Sequence, residues 1–132
     1  MYKEPLMASM SDYVLDAALS KLDTEADKIY ITSQEATTYT EATSTYALGV
    51  ATTISIGAPQ DRTASGGGRE VVLSNVTGGN VTATGDADTF ALVDSTNSRL
   101  LATGGLTGGG QTVTSGNTFI LASITLGIPD PA

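Results

Sequence analysis

"REVVLSNVTGGNVTATG", residues 69–85, is the stretch on which the reading of this chain turns. It opens with an apolar run of strand length. It then says Asn-Val-Thr twice, with Gly78 and Gly79 between the copies. Each Asn-Val-Thr is formally a glycan acceptor. Read as backbone, the same letters make a hairpin: Val76 and Val81 flank the turn "TGGN", and Gly78-Gly79 supply the positive φ that a tight turn needs. The glycan reading requires passage through a secretory lumen. The N-terminus, "MYKEPLMASMSDY", lacks the apolar centre of a signal peptide, and there is no cysteine, so the hairpin is the better reading.

Outward from this stretch the pattern repeats. "NVTATG" (80–85), "TFALVD" (89–94), "RLLATG" (99–104), "QTVTSG" (111–116) and "TFILASITLGI" (118–128) each have strand length and are separated by Gly, Asn, Asp or Ser. In the last run Ile120, Ala122, Ile124, Leu126 and Ile128 alternate onto one face, as a single strand would place them. "TFALVD" and "RLLATG" are apolar on both faces and suit the centre of a sandwich. "TGGLTGGGQT" (103–112) reads as a hairpin loop, since it lacks the Gly-Lys-Ser/Thr ending of a phosphate loop. The sequence holds 21 threonines, a composition that favours strands.

Towards the N-terminus the periods change. "SDYVLDAALSKLDTEAD" (11–27) predicts an amphipathic helix, with Ser11 as N-cap and Val14, Leu15, Ala18, Leu19 and Leu22 as its apolar stripe. Its acids, Asp12, Asp16, Asp23, Glu25 and Asp27, read as a solvated face. "KIYITS" (28–33) is a strand with Ile29 and Ile31 on one side. Residues 34–50 read as a long loop with short extended pieces, carrying Tyr39 and Tyr46. "ATTISIGAP" (51–59) reads as a strand through Ile54 and Ile56, and "QDRTASGGGR" (60–69) as an exposed loop. Residues 1–10 form an arm interrupted by Pro5, in which Met1, Leu6, Met7 and Met10 have no local apolar partner; Met7 or Met10 would serve equally as a natural start. The expected fold is mainly β: a sandwich or jelly-roll-like domain over 11–132, with one N-terminal helix at 11–27.

Composition narrows the chemistry. The chain has 132 residues, no Cys, no His and no Trp. Thiol nucleophiles, Cys-ligated zinc, His-based triads and imidazole pH switches are thereby excluded. Fourteen acids against six bases make a net charge of −8, which repels phosphate backbones and anionic membranes, so neither nucleic acid nor membrane is an expected partner. Asp86, Asp88 and Asp94 lie close in sequence and recruit attention as calcium ligands, but the spacing of a calcium loop fails and turn capping is the plainer account. Paired carboxylates suit glycosidases, yet such enzymes stack sugars on aromatic rings, which are few here. No cofactor is expected, and no enzymatic activity.

The order of features resembles a family of small tailed-bacteriophage virion proteins. The pieces that carry the likeness are "SQEATTYTEAT" (33–43), "ATGDADTFALVD" (83–94) with "SRLLATG" (98–104), and "VTSGNTF" (113–119), within a match that covers residues 11 to 130. Small cysteine-free β proteins of this size are similar to capsid decoration, or cement, proteins. The resemblance implies a structural role on the outer surface of a capsid, with the major capsid protein as partner, a homotrimer as the assembly, and synthesis in the cytoplasm of a bacterial host. The arm and the Tyr-bearing loop would then be the contacts to other chains, through Tyr2, Leu6, Met7, Met10, Tyr39 and Tyr46. The alternative placement is a tail or fibre module that binds other virion proteins or host glycans.

Overall fold

The computed structural model describes residues 10–64, 66–106 and 110–130. Helix α1 (Asp12–Glu25) is followed by strands β1 (Lys28–Thr32) and β2 (Ala47–Ala51), with a π-helical turn (Glu41–Thr45) between them. Next come β3 (Gln60–Asp61), β4 (Arg69–Leu73), β5 (Val76–Val81), β6 (Gly85–Ala87) and β7 (Thr89–Asp94). The chain ends with β8 (Arg99–Gly105), β9 (Gln111–Val113), β10 (Thr118–Leu121) and β11 (Ile124–Ile128). The strands form a six-stranded sheet in the order β10-β5-β2-β1-β7-β8, a three-stranded sheet β11-β4-β3, and the pair β6-β9. The mainly β class with one N-terminal helix is therefore what the molecule has. Its sheets are sandwich-like; the two four-stranded sheets of a jelly roll are not among them.

Alternation builds both faces of the large sheet. In β1 and β7, Ile29 pairs with Leu92 and Ile31 with Phe90, and all four turn inward to the main core. Tyr30 pairs with Ala91, and both face outward with Val93 into a second, smaller cluster. The main core joins the sheets: Val76, Val81 and Phe119 of the large sheet and Leu73 of the small one belong to one buried cluster, with Ile124, Leu126, Leu22 and Ala26 packed against it. The outer cluster is covered by residues 36–46, through Ala36 and Ala42. A strand such as β7, buried on both sides from Phe90 to Asp94, thus needs apolar residues at every position.

Several expectations are corrected. The double Asn-Val-Thr does not turn back on itself: Val76 to Val81 run as one continuous strand, β5, paired on one side with β10 and on the other with β2. Neither Gly78 nor Gly79 has positive φ. Gly79 is there because the Phe119 ring lies on it: a Cβ would sit 2.3 Å from Cζ of that ring. The expected strand at 118–128 divides at Ala122 and Ser123, so that β10 joins the six-stranded sheet and β11 the three-stranded one. A strand that changes sheets turns a sandwich corner, and its alternation restarts there. Of "ATTISIGAP" only Ala51 belongs to a strand; that strand is "ALGVA", otherwise within the expected loop, and Ile56 makes only an isolated bridge to Leu73. β9 pairs with β6 and not with β8, so residues 103–112 do not close a hairpin. β8 lies at a sheet edge rather than in the centre. In the 60–69 loop, Gln60 and Asp61 pair with β4, and Gly66, Gly67 and Gly68 all take positive φ to complete the return.

Helix α1 is shorter than 11–27 and its buried stripe narrower. Leu15 and Leu19 are buried, but Val14 is 49% exposed. Ser11 precedes the helix without a side-chain capping bond. The helix lies against β4. Arg69 fastens it there: Nε donates to Asp16 Oδ1 at 2.8 Å, Nη2 to Asp16 Oδ2 at 3.2 Å, and Nη1 to Asp61 Oδ1 at 2.7 Å. The fork geometry of a guanidinium is what lets one side chain tie a helix and a strand together.

Candidate functional site

The six-stranded sheet has two edge strands, β8 and β10, and the one neighbour of β10 among the described strands is β5. Alternation along "TFIL" sends Phe119 inward and Ile120 outward, and Ile120 is 74% exposed. The register shifts between Phe119 and Leu121, the mark of a bulge beside the edge. Where the chain crosses from β10 to β11, an open pocket of about 320 Å³ lies beside the edge. Its apolar walls include Leu106, Val113, Phe119, Leu121 and Ile124, and among the described residues no charged side chain lines it. An edge strand offers unpaired backbone N–H and C=O groups, and an extended segment that adds to it gains main-chain bonds and side-chain pockets together. This is chemistry for holding another chain.

The Tyr-bearing segment is positioned by a local polar clamp. Glu41 Oε1 accepts from Thr37 N at 2.9 Å and from Thr37 Oγ1 at 2.7 Å, while Glu41 N donates to Thr38 Oγ1 at 3.1 Å. These bonds from Thr37, together with one from Tyr46, hold the Glu41 carboxyl below the usual carboxylate range. Thr103 Oγ1 donates to Glu35 Oε1 at 3.0 Å and ties the segment to β8. Fully buried Ala42 leaves room for the turn to sit down on Ala91 and Val93. The structure brings Tyr39 and Tyr46 together with Tyr30 around that cluster, each half-buried. Burial, with Tyr39 and Asp27 nearby, pushes the Tyr30 hydroxyl up from its ordinary value.

The acids do fold-building work. Asp94, buried in the β7–β8 turn, accepts from Thr96 N, Asn97 N and Asn97 Nδ2. Asp86 accepts from Thr112 Oγ1 at 2.8 Å and Asp88 from Gly110 N at 3.1 Å, joining β6 to the β9 side. Buried Glu70 accepts from Gln60 Nε2 and Thr63 N. Asp27 accepts from the amide and hydroxyl of Ser95. Among the described residues, no three acids gather as a metal-holding group, and no helix is long and apolar enough to cross a membrane.

Of the expected contact residues, Tyr2, Leu6 and Met7 lie outside the described residues, and Met10 is 43% exposed. Met10 is joined by Tyr13, 85% exposed, and by Val14 on the first turn of α1. Sequence reasoning missed Ile120, because unbroken alternation from Ile120 to Ile128 assigned it to the core. The signal available was the pair Ala122-Ser123, too small and too polar for the middle of a core strand. No protein-family model matches the chain, and no curated protein and no solved structure is similar enough to it to count as a match.

Proposed function

We propose that this chain is a non-enzymatic structural protein of a tailed-phage virion, one that decorates a capsid and reinforces it by bridging neighbouring major capsid subunits. The observation that carries the reading is the open β10 edge, with exposed Ile120 beside a pocket that no charged side chain lines among the described residues. Such a surface suits contact between proteins better than it suits turnover of a small substrate. The six-stranded sheet, covered on its outer face over β1 and β7 by the clamped 36–46 segment, supplies the rigidity that a lattice fastener needs. The virion-protein resemblance of the sequence supplies the setting, and the homotrimer belongs to the same proposal. Particles assembled without this chain should lose their genome at lower temperature, or in lower salt, than complete particles do. Equal resistance of the two would end the capsid reading.

The second reading is a tail or fibre module that recognises host glycans. The grouping of Tyr30, Tyr39 and Tyr46 over one face favours it, since sugars stack on such rings. A glycan array decides between the two: saturable binding abolished by Tyr39→Ala would replace the first reading with the second.

A further inference from the structure

We propose that residues 1–9 of one copy lie along the β10 edge of a second copy, extending its six-stranded sheet and seating Leu6 and Met7 in the adjoining pocket. The inference rests on the assembly reading above and names its contact. Four features converge on this occupant. First, the receiving strand has a free side and an outward Ile120 that nothing in its own chain covers among the described residues. Second, no charged side chain lines the pocket among the described residues, in a molecule of net charge −8, so it favours a neutral apolar guest over the acidic surface of another copy. "MYKEPLMAS" is such a guest: its Lys3 and Glu4 cancel, and Met1, Tyr2, Leu6 and Met7 are apolar. Third, nine extended residues span roughly 30 Å, ample for a four-residue edge and a lead to Met10. Fourth, Pro5 has no N–H to donate and is tolerated in an added edge strand.

A second copy suits better than the same chain. The Asp16–Arg69 tie holds α1 at the Arg69–Ile128 end of the β4–β11 ladder, whereas the pocket opens at its other end, by Ile124. Arm-to-edge contact is also heterologous, the type from which a ring such as a trimer is built when the rotation between copies closes, whereas β10 pairing with its own copy would stop at a dimer.

The cysteine-free sequence permits a direct test on full-length protein. Chains carrying Met7→Cys (or Leu6→Cys) are mixed with chains carrying Ile120→Cys and oxidised mildly. The expected product is a mixed disulfide between the two species. Only Ile120-to-Ile120 dimers, or no disulfide at all, would each overturn the proposal, as would a chain carrying both substitutions that forms its bond solely within itself. In parallel, Ile120→Lys should shift the sedimenting species to a monomer whose circular dichroism is still that of the folded chain; an unchanged mass would count against the seat. Both readouts use the isolated protein. A mixed disulfide alongside particles that do not need the chain would leave the arm seat standing and remove the capsid role, and the reverse result would do the opposite.

Discussion

Both phenylalanines of this chain sit opposite a glycine: Phe119 pairs with Gly79 and Phe90 with Gly104. In each pair the ring occupies the space a Cβ would take, 2.3 Å from Phe119 Cζ in one case and 2.7 Å from Phe90 Cε1 in the other. The rings cover glycine backbone and fill the inner face where small residues would leave a void. Gly79→Ala and Gly104→Ala should each cost about 1–3 kcal/mol by overpacking. Gly78→Ala meets nothing within 4 Å and should stay within about 0.5 kcal/mol in the same urea titrations. Asp27 answers to pH. Burial pushes its carboxyl up, but the hydroxyl and amide of Ser95, with Lys28 nearby, outweigh this and leave it below the ordinary 3.8. A depressed folded pKa means stability that is present above pH 3.8 and lost as pH falls through the folded value. Ser95→Ala should therefore lower the urea midpoint at pH 7 and flatten its decline in acid; parallel midpoint-versus-pH curves for the two proteins would refute the role of this pair.

Helix α1 has 14 residues, too few to persist alone in water, so its order depends on what it is fastened to. Leu15 and Leu19 supply the burial and Asp16–Arg69 the direction. The carboxylates of Asp16 and Asp61 raise the already high pKa of Arg69, so this tie stays charged throughout the neutral range. Arg69→Met should speed amide hydrogen exchange in α1 ahead of β1 and β7; equal protection in all three would show that apolar packing alone holds the helix. The presence of this helix and of β1 could be read from their periods, and that of β7 and β8 from short apolar runs bounded by turn residues. β2 and β5 could not. "ALGVA" and "VTGGNV" look like linker and turn until neighbouring strands supply their hydrogen bonds and a ring supplies the volume that their glycines lack.

Taken together, the elements form a single main core between the sheets, with β10 and β8 as the edges of the larger one. Leu92 is wholly buried at its centre, and Leu92→Ala should cost about 2–5 kcal/mol in urea unfolding. A much smaller loss would mean that the two sheets are less tightly joined than the shared cluster implies. Composition and local periods were enough to establish a mainly β chain, its N-terminal helix and its lack of thiol or imidazole chemistry. Those properties follow from residue type and from side-chain direction along a single segment. The course of β5, the corner at Ala122 and Ser123, the covering of Tyr39 and Tyr46, and the exposure of Ile120 required the folded chain. Each depends on which strand comes to lie beside which, and that is set by long-range pairing and volume filling, which no local window contains.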